Sequence, residues 1–172
     1  SATPTNPLFT DATGALGLDY VHEENDFVDF DREYLMPHKL STEGPALAVA
    51  DVNGDGLDDV FAGGAKWQPG RLLVQTASGS FTPRSTATWE ADAKREDVDA
   101  AFFDADGDGD QDLYVVSAGN EFWGDAEALR DRLYLNDGTG QFTKSAEALP
   151  DAMHANGASV APADFDGDGD IR

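Results

Sequence analysis

The chain has 172 residues, with 34 acidic against 11 basic side chains and a formal charge of −23 at pH 7. That charge excludes a nucleic-acid backbone binder, which needs Lys and Arg against phosphate, and it opposes docking on anionic membranes. The 40% apolar content is too high for a disordered acidic tail, there is no cysteine for a disulfide or thiolate metal site, and no run of 18 apolar residues offers a membrane helix.

The length suits one hydrophobic core, in one domain or part of a larger one. In chain order, Phe9-Thr10 ends a short lead-in, and residues 18–45 form an insertion without clear periodicity. Ala46 to Ala50 is a small apolar run that enters an acidic loop, Asp51 to Asp59, and Val60-Phe61-Ala62 leaves it. Leu72 to Gln75 and a short run at Phe81 follow. The same order then returns: Val98 to Phe103, the acidic loop Asp104 to Asp112, Leu113 to Ser117, Leu133 to Asn136, and Phe142. A third start is visible at Gly157 to Ala163, before the loop Asp164 to Arg172. The runs are short, rich in aromatic and β-branched residues, and bounded by Gly, Asn and Asp, which predicts strands. The only helix-like stretch is Asp125 to Arg132. Asn136 to Gly140 reads as a hairpin turn, because Gly138 and Gly140 tolerate positive φ.

Two repeat periods organise this pattern. The acidic loops begin at Asp51, Asp104 and Asp164, 53 and 60 residues apart. Arg71 to Thr82 matches Arg132 to Thr143, and each Arg is expected to pair with an acidic neighbour. Four antiparallel strands per repeat make one blade, so the predicted fold class is all-β, a partial β-propeller with the acidic loops between strands 1 and 2. The predicted organisation is a lead-in at 1–45, a first blade at 46–97, a second at 98–156 and the start of a third at 157–172. In such a meander the acidic loops and the 3–4 hairpins share one end. The long connections, 64–70 and 118–131 among them, share the other, where ligands usually bind.

The acidic loops have the chemistry of a cation site. Positions 1, 3 and 5 are Asp51, Asn53 and Asp55; Asp104, Asp106 and Asp108; and Asp164, Asp166 and Asp168. Position 7, at Leu57, Asp110 and Asp170, offers a backbone carbonyl, and position 9 supplies Asp59 and Asp112 but Arg172 in the third copy. Oxygen-only ligands suit Ca²⁺ better than Mg²⁺. Without metal, two carboxylates about 5 Å apart repel by roughly 3 kcal/mol at an effective dielectric near 20. An EF-hand would need Glu at position 12, where Ala62 and Val115 stand. A solvated acidic turn is the plain alternative for one copy; three copies in register favour Ca²⁺.

Asp51-Val-Asn-Gly-Asp-Gly-Leu-Asp-Asp-Val-Phe-Ala-Gly-Gly-Ala65, with Asp104 to Asn120 and Arg132 to Thr143, resembles the FG-GAP/VCBS repeat of integrin α-like propellers over roughly residues 46–172. The resemblance implies calcium in the strand 1–2 loops, an extracellular, periplasmic or cell-surface setting, and binding rather than catalysis. It also implies a fragment of a larger bacterial multi-repeat protein, with open blade edges able to self-associate. A fourth strand for a neighbouring blade is expected at residues 8–13. Trp67 and Trp123 occupy equivalent 2-to-3 connections and read either as a platform for a protein or glycan ligand or as packing between blades; Trp89 is read in the same two ways. His22, His38 and His154 share no spacing. We expect a non-enzymatic binding module with no nucleic-acid partner and no membrane insertion. The alternatives are a lyase-like enzyme using Tyr20, His22 or His38 with calcium, and a structural spacer. The acidic excess outside the loops fits a high-salt habitat.

Overall fold

The computed structural model describes residues 9–124, 126–146, 148–150, 156–168 and 171. Among the described residues, eight strands form two four-stranded sheets. The first holds β1 (Leu47–Ala50), β2 (Asp59–Ala62), β3 (Arg71–Gln75) and β4 (Phe81–Arg84). The second holds β5 (Asp97–Phe103), β6 (Asp112–Ser117), β7 (Arg132–Asn136) and β8 (Phe142–Lys144). Each sheet is an antiparallel meander with strands in sequence order, the topology of a propeller blade. The registers agree between blades, with Val60 opposite Leu73 in the first and Leu113 opposite Tyr134 in the second.

The core lies between the sheets. Ala48, Phe61, Leu72 and Val74 of the first blade meet Ala100, Leu113, Val115, Tyr134 and Phe142 of the second. Trp89 fills the gap between them. It stands on a five-residue helix, Thr86–Glu90, within the blade-to-blade connection, and is 3% exposed. Its ring lies 5.2 Å from Phe61, 5.0 Å from Tyr134 and 5.7 Å from Phe142, and its indole N–H donates to the Arg84 carbonyl at 2.9 Å. Of the two readings of Trp89, packing between blades is the observed one.

Three expectations are corrected. The helix is at Thr86–Glu90, whereas the predicted stretch at Asp125 to Arg132 holds only a 3₁₀ turn at Glu127–Leu129. Ser85 does not reveal the helix start by capping it; its hydroxyl donates across to the Gly140 carbonyl at 3.3 Å. Residues 9–12 form no strand: the chain instead turns into the helical Thr13–Leu16, and Gly17, in left-handed conformation, closes against the Phe81 carbonyl. Residues 157–163 form no strand either. This segment lies instead along the second blade, where the Val160 N–H donates to Asp99 Oδ2 at 2.9 Å.

A buried polar network joins the blades. At the end bearing the long connections, Arg132 pairs with Asp97, and Asp97 also accepts the Gly64 N–H at 3.0 Å. Arg132 further donates to the Tyr134 hydroxyl at 3.1 Å and to Ser117 Oγ at 3.1 Å. Arg71, the counterpart in the first blade, faces Asp19 at 3.5 Å. Gly63 is required here, because a Cβ would come within 2.7 Å of Asp97 Cβ and 2.8 Å of Ala46 Cβ.

Candidate metal loops and the opposite aromatic face

Each acidic loop is wound around its first aspartate. Asp51 Oδ1 accepts the N–H groups of Gly54 at 2.8 Å and Asp55 at 3.1 Å, and Oδ2 accepts that of Gly56 at 2.7 Å. Asp104 repeats this with Gly107 at 2.7 Å and Gly109 at 2.9 Å, and Asp164 with Gly167 at 2.6 Å. The wrap needs left-handed backbone at positions 4 and 6, which glycine supplies at Gly54, Gly56, Gly107 and Gly109. These contacts hold the Asp51 carboxyl below its usual range, although desolvation works against them.

Winding the loop draws its side-chain oxygens inward. One carboxylate oxygen each from Asp104, Asp106 and Asp108 lies within 4.8 Å of the others, and the same holds for Asp164, Asp166 and Asp168. In the first loop Asn53 is linked to Asp55, donating its side-chain amide to Oδ2 at 3.3 Å and accepting the Asp55 N–H at 3.0 Å. Leu57 donates its N–H to Asp55 at 2.9 Å, as Asp110 does to Asp108 at 3.0 Å. Asp170 and Arg172 lie outside the described residues. The clustered donors are all oxygen, which fits a hard divalent cation.

Position 9 is buried. Asp59 accepts the Val52 N–H at 3.1 Å and the Gln75 N–H at 2.7 Å; Asp112 accepts those of Ala105 at 2.9 Å and Asn136 at 2.8 Å. These carboxylates therefore tie the loop to strand 3 of their own blade. Each oxygen accepts one backbone bond, and Asp112 is not part of the carboxylate cluster of Asp104, Asp106 and Asp108. Desolvation pushes both carboxyls up. The like charges of Asp55 and Asp51 add to this for Asp59, and those of Asp106 and Asp108 for Asp112. Asp110 is pushed up as well, by desolvation and then by Asp108 and its loop neighbours. A bound cation would oppose all of these repulsions.

Sequence reasoning missed the residue that joins the loops. The Asn136 side-chain amide donates to the Val52 carbonyl of the first loop at 2.8 Å and to the Gln111 carbonyl of the second at 3.2 Å. Its oxygen accepts the Gly140 N–H at 3.1 Å, within the hairpin turn. The Asp110 carboxylate lies over that turn, and a Cβ on Gly138 would come 2.6 Å from Asp110 Oδ2. The acidic loops and the 3–4 hairpin thus occupy one end of the molecule.

The 2-to-3 connections lead to the other end. Trp67 is 63% exposed and Trp123 is 75% exposed, so neither packs between blades as Trp89 does. Lys66 joins the two connections: its ammonium lies 2.8 Å from Glu121 Oε2 and 4.6 Å from the Phe122 ring. The Arg32 guanidinium of the insertion stacks on Trp123 at 3.7 Å. Tyr20, His22 and His38 have separate partners. Tyr20 donates to the Gly63 carbonyl at 2.9 Å, His22 faces Glu24 at 2.7 Å and His38 faces Glu43 at 3.5 Å. His154 lies outside the described residues.

Comparison with known proteins gives one family. The profile described as "FG-GAP-like repeat" matches residues 51–115 and again 104–171, more than half of the chain. No curated protein matches.

Proposed function

The chain belongs to the FG-GAP-like repeat family, and from that premise we propose that this propeller-like repeat module binds calcium in its strand 1–2 loops and a protein or glycan at its opposite end. The observation that carries the calcium reading is the convergence of Asp104, Asp106 and Asp108 within 4.8 Å, repeated at Asp164, Asp166 and Asp168. Asp51, Asn53 and Asp55 supply the equivalent oxygens of the first loop, with the Leu57 and Asp110 carbonyls at position 7 and Asp59 and Asp112 at position 9. Asp170 holds position 7 of the third loop. Calcium would supply charge neutralisation and loop closure, and the residues themselves need perform no chemistry.

The test is a thermal melt in millimolar Ca²⁺ against a chelated sample, with Mg²⁺ as control. Sites with Kd near 10⁻⁴ M would each add about 1.4 kcal/mol at the tenfold excess that 1 mM ion provides. A Ca²⁺-specific rise in Tm supports the reading, and identical melts overturn it.

For ligand binding, the support is the exposure of Trp67 and Trp123 on the face away from the acidic loops. Aromatic faces of this kind suit stacking on sugars or peptide groups. We further propose an extracellular, periplasmic or cell-surface setting, where free calcium is plentiful, and no catalytic role. Against the lyase alternative, desolvation and the Asp97 charge push the Tyr20 hydroxyl up to about 12, away from a useful base. No helix is long and apolar enough to cross a membrane among the described residues.

A further inference from the structure

A second cluster stands apart from the acidic loops, where the insertion crosses the 2-to-3 connection of the first blade. We propose that His22, Glu24 and Glu96 form a site for a transition-metal dication of the Zn²⁺ class. One ligand atom from each of the three lies within 4.8 Å of the others. Glu96 is 2% exposed, and its Oε1 is buried with no hydrogen-bond partner. That oxygen and His22 Cε1 each lie 3.8 Å from the position a Gly44 Cβ would take, so both border the same space beside Gly44. His22 Nδ1 is likewise buried without a partner.

The surroundings hold these side chains in place. Glu96 Oε2 accepts the Lys66 N–H at 3.0 Å, which leaves Oε1 as its free end. Gln68 clamps the segment on both sides of His22: its amide donates to the Val21 carbonyl at 2.6 Å and its oxygen accepts the Glu23 N–H at 2.9 Å. The Glu24 charge bears on Glu96 directly, whereas Glu121 and Asp97 nearby are paired with Lys66 and Arg132.

The donor set separates this site from the loops. An imidazole nitrogen with two carboxylates suits zinc-class ions, whereas calcium takes oxygen ligands. Tetrahedral zinc with bonds of about 2.0–2.2 Å puts its donors roughly 3.5 Å apart, so the ion would enter between His22 Nε2 and Glu24 Oε1, now hydrogen-bonded at 2.7 Å, and replace that contact. Three protein ligands leave a fourth position for water or an outside ligand.

The test is calorimetric titration of Zn²⁺ into the untagged chain held in millimolar Ca²⁺, with Co²⁺ absorption reporting nitrogen coordination. One equivalent should bind. Affinity should fall at least tenfold in His22→Ala and in Glu24→Gln, and should be unchanged in the surface variant Glu90→Gln, which lies outside both this cluster and the acidic loops. Glu24 is partly exposed, so Glu24→Gln decides the matter should His22→Ala fail to fold. Absence of stoichiometric binding overturns the proposal. So does binding that survives Glu24→Gln, or binding lost on His38→Ala, which would place the ion on the surface pair His38 and Glu43.

Discussion

Asn136 shows how much one side chain can carry. Its amide satisfies two carbonyls from loops of different blades, and its oxygen shapes the hairpin between them. Asn136→Ala strands the buried Val52 carbonyl and should cost about 1–3 kcal/mol, read as a lower urea midpoint at unchanged m-value. Charge at single residues also sets the pH response, and two groups of aspartates pull in opposite directions. For Asp92, desolvation is outweighed by Lys144 and the Tyr134 hydroxyl; for Asp29, it is outweighed by Ser41 and the Leu40 N–H. Both have depressed folded-state values, so their stabilisation is present above about pH 4 and is lost as pH falls through those values. Asp59 and Asp112 have raised values, so their contribution is present at low pH and is lost as pH rises. In the metal-free chain, Tm should therefore climb as pH drops from 7 toward about 4 and then fall; calcium should flatten the climb. The clustering of Asp104, Asp106 and Asp108 was legible in the sequence, because residues of one loop are neighbours. Asn136 was not, since Val52 lies 84 positions away, and neither was the meeting of His22 with Glu96, which only folding brings about.

At the scale of elements, the eight strands among the described residues fell where the short apolar runs and their bounding Gly, Asn and Asp placed them, within a residue or two, and the run at Gly157 to Ala163 formed none. Strand signals were strong because each blade repeats the other. The Thr86–Glu90 helix was illegible because five residues give no periodicity and Ser85 spends its hydroxyl elsewhere. Yet this helix delivers the wedge that joins the sheets. Trp89→Ala removes a ring that touches Phe61, Tyr134 and Phe142, and should cost about 3–5 kcal/mol. Because Trp67 and Trp123 remain exposed, the variant should also lose the blue-shifted component of tryptophan emission. A melt within 1 °C of the parent chain would contradict the wedge role.

Across the whole molecule, the two blades are not equally covered. Ala100 and Phe102 of the second blade pack against the first, but their counterparts on β1, Leu47 and Val49, are 63% and 54% exposed. An apolar sheet face of this kind seeks a neighbour. We expect concentration-dependent association in sedimentation velocity, reduced by the double variant Leu47→Lys, Val49→Lys; a monomer at all concentrations would show that another element covers this face. The amide of Asn136 has a further consequence at this scale. It holds backbone from both acidic loops, so an ion that stiffens one loop prepays part of the ordering cost of the other. Under the proposed calcium reading, uptake at the two loops is linked and reciprocal, and a Ca²⁺ titration should rise over a narrower concentration range than for two independent loops.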